Sequence, residues 1–171
     1  MSIEFKLRPW SIKDLPNLVK HANNFNIANN MFDGFPHPYT EEDGKKFIQV
    51  IKKSKDLILC IDVNGEAVGS AGIHLKKDIY RKNAEIGYWL AEPFWGQGII
   101  THVVPKLVDY AFEKFDIERL YAIVYGRNTP SQKVLEKNGF ELDGRFEKTI
   151  FKNEKFEDEM VYAFRRNNWK K

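Results

Sequence analysis

The chain has 171 residues, one domain's worth of sequence, and its 43% hydrophobic and 30% charged residues are ordinary globular values that exclude disorder, collagen-like repeats and supercharged tails. Twenty-seven basic against 24 acidic side chains give a net charge of +3, too balanced to argue a nucleic-acid binder from composition. The longest apolar runs, such as Leu57 to Ile61, fall far short of the ~20 residues a membrane span requires, and no secretory leader pattern opens the chain, so a cytoplasmic protein without membrane contact is expected.

A single cysteine, Cys60, cannot form an internal disulfide, and four histidines show no metal-ligand spacing, so no metal is expected. Cys60 lies among Leu57, Ile58, Leu59 and Ile61 and reads as a buried small hydrophobe. The basic residues Arg165, Arg166, Lys170 and Lys171 read as a solvated tail, with a phosphate-contacting surface as the alternative.

In chain order, Ile3 to Arg8 alternates apolar and charged residues as a half-buried strand, ended by Pro9. Ser11 followed by Asp14 predicts a capping box, with Leu15, Leu18, Val19 and Ala22 as the apolar face of a first helix. Asn23 to Pro38 reads as a long connection carrying exposed aromatics, and Thr40 caps a second helix that buries Phe47, Ile48 and Ile51. Leu57 to Val63, the Asn64-Gly65 turn and Ala67 to Leu75 form a hairpin, followed by a strand at Ala84 to Leu90.

Past Gly98 a helical run buries Val104, Leu107, Val108, Ala111, Phe112 and Phe115; Pro105 within it predicts a kink or a late start. Leu120 to Tyr125 is wholly apolar and reads as a strand covered on both faces. A short helix from Thr129 ends at Gly139, and strands at Glu141–Phe151 and Phe156–Phe164 close the chain. The expected architecture is a single α/β (α+β) domain over residues 1–171. Its central sheet is mixed and mostly antiparallel, with splayed parallel strands at about 84–91 and 119–125, flanked by about four helices.

The informative stretch runs from Ala84-Glu85-Ile86-Gly87-Tyr88-Trp89-Leu90 to Trp95-Gly96-Gln97-Gly98. Glycines just before a helix let the backbone approach a ligand, and the helix start offers unpaired N–H donors to a phosphate; an ordinary tight turn is the alternative. About thirty residues on come Asn128-Thr129-Pro130-Ser131 and then Glu136-Lys137-Asn138-Gly139-Phe140. With the opening Leu7-Arg8-Pro9, this set in this order resembles the GNAT superfamily of acyl-CoA-dependent N-acetyltransferases, in the branch that contains ribosomal-protein N-terminal acetyltransferases.

The resemblance implies acetyl-CoA as acyl donor. Its pyrophosphate would be cradled by the loop and helix start at Gly96, Gln97, Gly98, Ile99, Ile100 and Thr101. The pantetheine arm would pair with backbone near Trp89, Leu90 and Ala91, and Asn128, with Ser131, would form the other wall. Two positions depart from the family's loop pattern: Trp95 at its first position, and Ile100, bulkier than the usual Gly or Ala, at its last.

An alkyl amine with a pKa near ~10 is mostly protonated at neutral pH, so a base must collect a proton for attack on a thioester. The resemblance implies Glu85 as that base, matching the glutamate of a similar Ala-Glu-Ile strand in histone-acetyltransferase relatives; a carboxylate paired with a surface lysine is the alternative. Where many relatives place a tyrosine acid this chain has Leu135, and the resemblance implies Ser131 in its stead. Ser131 also reads as a hydrogen-bond donor to the sulfur or a helix-start cap.

The connection's Phe32, Asp33, Phe35, His37 and Tyr39 are candidate acceptor-pocket residues, since aromatics with a carboxylate suit a cationic amine; loop packing is the alternative. The acceptor expected from the branch is a peptide α-amine. A polyamine, aminoglycoside or amino sugar acetyltransferase and a non-catalytic acyl-CoA-binding or sensing module are kept as alternatives. Relatives also suggest a homodimer.

Overall fold

A computed structural model describes residues 4–169; Ile3 of the first predicted strand, and Lys170 and Lys171 of the basic tail, lie outside them. Seven strands follow the order β1-β2-β3-β4-β5-β7-β6. They are β1 (Lys6–Pro9), β2 (Leu57–Val63), β3 (Glu66–Leu75), β4 (Asn83–Leu90), β5 (Arg119–Tyr125), β6 (Glu141–Lys152) and β7 (Lys155–Arg165). The helices are α1 (Leu15–Ala22), α2 (Phe25–Ala28), α3 (Glu41–Lys53), α4 (Ile99–Lys114) and α5 (Thr129–Lys137). The fifth helix, one more than expected, is α2, a single turn inside the predicted connection. Asn24 caps it by accepting from the Asn26 and Ile27 amides at 2.8 and 3.3 Å. Among the described residues no helix is long and apolar enough to cross a membrane.

The described residues form two compact units, 4–72 with 88–99, and 73–87 with 100–169. In the first, the predicted capping box of Ser11 with Asp14 closes, and the expected Thr40 cap forms as a second box with Asp43. Each ties down helix-end donors that would otherwise be unpaired, worth about 1 kcal/mol per cap. α1 and α3 pack so closely that a Cβ on Gly44 would come within 2.6 Å of Leu15 Cδ1. Glycine in a helix costs roughly 1 kcal/mol against alanine, and the close approach explains its place here. Trp10, Leu18, Ile48, Cys60 and Trp89 share this unit's apolar core. Burial pushes the Cys60 thiol up to about 12, so it carries no nucleophile at neutral pH.

α4 begins at Ile99 and runs through Pro105, so of the kink or late start expected from that proline the late start does not occur. The buried stripe of Val103, Val104, Leu107, Val108 and Ala111 holds the helix, and Pro105 lies on its exposed side, where a freed carbonyl can reach water. Arg166 closes the far end of the helix, donating to the carbonyls of Phe112, Phe115 and Ile117 at 3.1, 2.9 and 2.8 Å. Phe164 meets the rings of Phe112 and Phe140 at centroid distances of 5.8 and 5.6 Å.

β5 corrects a second expectation. Leu120, Ala122 and Val124 are buried, whereas Tyr121 and Tyr125 are half-buried and Ile123 is 45% exposed. An apolar run predicted cover on both faces; this one alternates, because its two tyrosines bear the guanidinium groups of Arg119 and Arg127 over their rings at 4.5 and 4.8 Å.

The first unit is tied together by Arg8, which donates to both Asp14 oxygens at 2.8 Å and to Asp62 at 2.7 Å. The Arg8 hydrogen bonds, with the Ser11 amide helping and burial opposing, hold the Asp14 carboxyl below its ordinary 3.8. A depressed folded value means the stabilisation is complete above the unfolded value and is lost as pH falls through the folded one. Asp14→Asn should cost about 2–3 kcal/mol near neutrality, below the 3–5 of a fully buried pair because Arg8 is partly exposed. Urea denaturation should show that deficit shrinking on acidification toward pH ~2.

Candidate functional site

The parallel ladder between β4 and β5 has three pairs: Asn83 with Arg119, Ala84 with Leu120, and Glu85 with Tyr121. Both strands continue, but each with its other neighbour. β4 keeps to β3 as far as the Ala91 amide, which donates to the Val68 carbonyl at 2.7 Å, and β5 keeps to β7 as far as the Gly126 amide on the Asp158 carbonyl at 2.8 Å. The Lys76 amide also donates to the Asn83 carbonyl, so odd-numbered β4 residues turn their backbone groups to β3 and even-numbered ones away from it.

This alternation sorts the three residues expected to pair with a pantetheine arm. The backbone groups of Trp89 and Ala91 belong to the β3 side, and the Trp89 ring packs in the first unit's core against Phe35 at 6.0 Å. Leu90 turns away from β3, and its carbonyl accepts from the Trp95 indole at 2.7 Å. Its amide therefore remains as the donor of this trio on that side. The departure at Trp95 thus has a local role, locking the loop back onto the end of β4.

Beyond Trp95, Gly96 and Gly98 have φ of +72° and +77°, a region that favours glycine, and nothing lies within 4 Å of where a Cβ on Gly96 would stand. Gln97 is exposed and donates to the Pro93 carbonyl at 2.8 Å. Ile99 is buried, Ile100 and Thr101 are half-buried, and the first-turn amides of α4 start here. An open glycine backbone feeding a sixteen-residue helix fits a diphosphate.

Glu85 is half-buried. Its Oε2 accepts from Lys76 Nζ at 2.6 Å and lies 3.5 Å from the Tyr121 hydroxyl. Burial works against the Lys76 ammonium, but its bonds to Glu85 and Tyr121 outweigh that and hold its pKa above 10.5, so it stays charged. The lysine pairing kept as the alternative for Glu85 is therefore present, with Lys76, which the sequence did not single out, as the partner. The available signal was hairpin symmetry, since Lys76 pairs with Asn83, two residues from Glu85.

Asn128 caps α5, its Oδ1 accepting from the Ser131 amide at 3.3 Å. The cap is therefore Asn128, and Ser131 stands in the first turn with its hydroxyl on a half-buried side chain. Leu135, where relatives carry a tyrosine acid, is fully buried.

The five acceptor-pocket candidates divide. Tyr39 is buried, with its phenol pushed up to about 12 by burial, and Phe35 packs between Tyr39 and Trp89. These two serve the core, while Phe32, Asp33 and His37 reach solvent. Among the described residues no group of three or more side chains could hold a metal ion.

Residues 4–141 match the acetyltransferase (GNAT) domain family. YdaF of Bacillus subtilis, named as a candidate ribosomal N-acetyltransferase, is 34% identical over 106 residues, which cover 62% of this chain and 57% of that protein. The ribosomal-protein-serine acetyltransferase of Escherichia coli is 29% identical over 72% of this chain and 71% of its own length. Among solved structures, the ribosomal L7/L12 α-N-protein acetyltransferase RimL in complex with coenzyme A superposes with a TM-score of 0.83 at 25% identity, over 94% of this chain and 93% of that one.

Asn128 separates two roles experimentally. Asn128→Ser keeps an oxygen that can cap α5 and removes the amide donor; Asn128→Ala removes both. Thermal denaturation should show a loss of about 1 kcal/mol for alanine and little for serine. If the amide holds the acyl donor, calorimetry should show both variants binding coenzyme A more weakly.

Proposed function

This chain belongs to the GNAT acetyltransferase family, and from that membership we propose that it transfers an acetyl group from acetyl-CoA to a primary amine, a protein N-terminal α-amine being the acceptor class favoured by its relatives. The single observation that carries the reading is the end of the β4–β5 ladder at Glu85 and Tyr121, with the Leu90 amide left beyond it. When bound, acetyl-CoA supplies an activated thioester carbonyl.

The chain's own residues divide the remaining work. The first-turn amides of α4 and the Gly96–Gly98 backbone hold the diphosphate. The Leu90 amide, aimed away from β3, receives the carbonyl oxygen as it gains charge, the role in which a preorganised backbone donor contributes most. Glu85 collects the amine's proton through a water, and Lys76 holds that carboxylate in one orientation at 2.6 Å. Ser131 donates a hydrogen bond to the departing sulfur, which needs little acid help because thiols ionise near pH ~8.5. Phe32, Asp33 and His37 are the connection residues available to an acceptor. The protein acts in the cytoplasm as a homodimer.

Glu85→Gln should lower kcat at neutral pH by about 10²–10³-fold, the scale of one general base, with acetyl-CoA binding unchanged. Lys76→Met removes the 2.6 Å contact that orients the Glu85 carboxylate, so kcat should fall roughly tenfold with acetyl-CoA binding unchanged. Thiol release from acetyl-CoA with N-terminal peptides reads both variants. Turnover by Glu85→Gln equal to the parent at every pH would remove Glu85 from the mechanism.

A further inference from the structure

The face of β5, β7 and β6 that Tyr121, Ile123 and Tyr125 share is buried at Val161 and Ala163 and reaches solvent at Ile123 and Phe146. Cross-strand register sets it out in rows: Tyr125, Glu159 and Phe146 lie side by side, and the next row is Ile123, Val161 and Gly144. Ile123 and Phe146 are 45% and 50% exposed, and the Phe146 ring leans back over Gly144. Side chains opposite one another in adjacent strands stand ~5 Å apart, so Glu159 sits between two aromatic neighbours.

The carboxylates near this face are otherwise matched with cations. Glu85 has Lys76, Asp143 has Arg119 and Arg165, and Glu157 has Arg127. Glu159 is half-buried and its contact is the Thr149 hydroxyl, donated over a long 3.4 Å. Among the described residues no lysine or arginine pairs with it. A half-buried carboxylate flanked in register by Tyr125, whose ring already carries the Arg127 guanidinium, and by the half-exposed Phe146 is complementary to a further positively charged group on the Phe146 side.

We infer that Glu159, between Tyr125 and Phe146, receives a basic side chain near the N-terminus of a peptide acceptor, and so selects peptides with a lysine or arginine in their first few residues. Its place along β5 argues for this second charge rather than the reacting amine. Glu85 adjoins Tyr121 and Glu159 adjoins Tyr125, four residues or about 13 Å apart along the strand. An ammonium held at Glu159 would stay protonated and out of reach of Glu85, whereas an extended peptide covers that span in three to four residues.

This assignment rests on the acceptor-amine reading above, and binding tests it without turnover. The probes are a hexapeptide with a free N-terminal serine and lysine at its third position, the same peptide with norleucine there, and spermidine. Each is titrated calorimetrically into the full chain saturated with coenzyme A. The lysine peptide should bind about five- to tenfold more tightly than the norleucine peptide, the scale of one partly desolvated cation contact. In Glu159→Gln that ratio should fall to about one with coenzyme A affinity unchanged, and Phe146→Leu, at a half-exposed site, should lower it about twofold.

An unchanged ratio in Glu159→Gln, or no preference in the parent chain, overturns the assignment. Spermidine binding that is lost in Glu159→Gln while the two peptides bind alike overturns the peptide as occupant. Because the ratio is read without chemistry, an inactive Glu85 would leave it standing, and full turnover by Glu85→Gln would count against the base alone.

Discussion

Two parallel strands that pair for three residues and then each follow a different neighbour set the terms for the rest of the molecule. β4 is held to β3 up to Ala91 and β5 to β7 up to Gly126, so both strands are secured from their outer sides. Beyond Glu85 and Tyr121 the β4–β5 ladder does not continue, and the Leu90 amide faces away from β3. An unpaired amide away from water costs free energy unless something receives it. A ligand with strand-like hydrogen-bonding groups answers that need and is recognised by the same groups.

The polar groups around this point are arranged so that few are idle. Trp95 takes the Leu90 carbonyl and leaves the amide, so one backbone residue both locks a loop and keeps a donor. Lys76 and Tyr121 converge on one oxygen of Glu85, a contact that orients the carboxylate.

The two compact units carry different parts of this chemistry. The glycine loop, Trp95 and the solvent-facing part of the first connection belong to one; Glu85 with Lys76, Asn128 with Ser131, and the open face around Glu159 belong to the other. β3, β4 and the start of α4 run through both, so neither unit is a contiguous segment that could be cut out of the chain.

Local chemistry alone determined much of this protein. Ser11 with Asp14, the Thr40 cap, and Asn64-Gly65 are signals closed within a few residues, and each formed as the amino-acid order predicts, because a cap or a tight turn needs no distant partner. The glycines at 96 and 98 and the strand holding Glu85 were legible for the same reason. Tertiary structure decided what depends on a neighbour far along the chain. It chose Lys76 as the partner of Glu85, put Tyr39 and Phe35 into the core rather than a pocket, opened one face of β5, and left Glu159 without a cation. Sequence states which groups a chain possesses, but whether a charge is matched or a ring covered follows from strand register and packing, which exist only once distant segments have met.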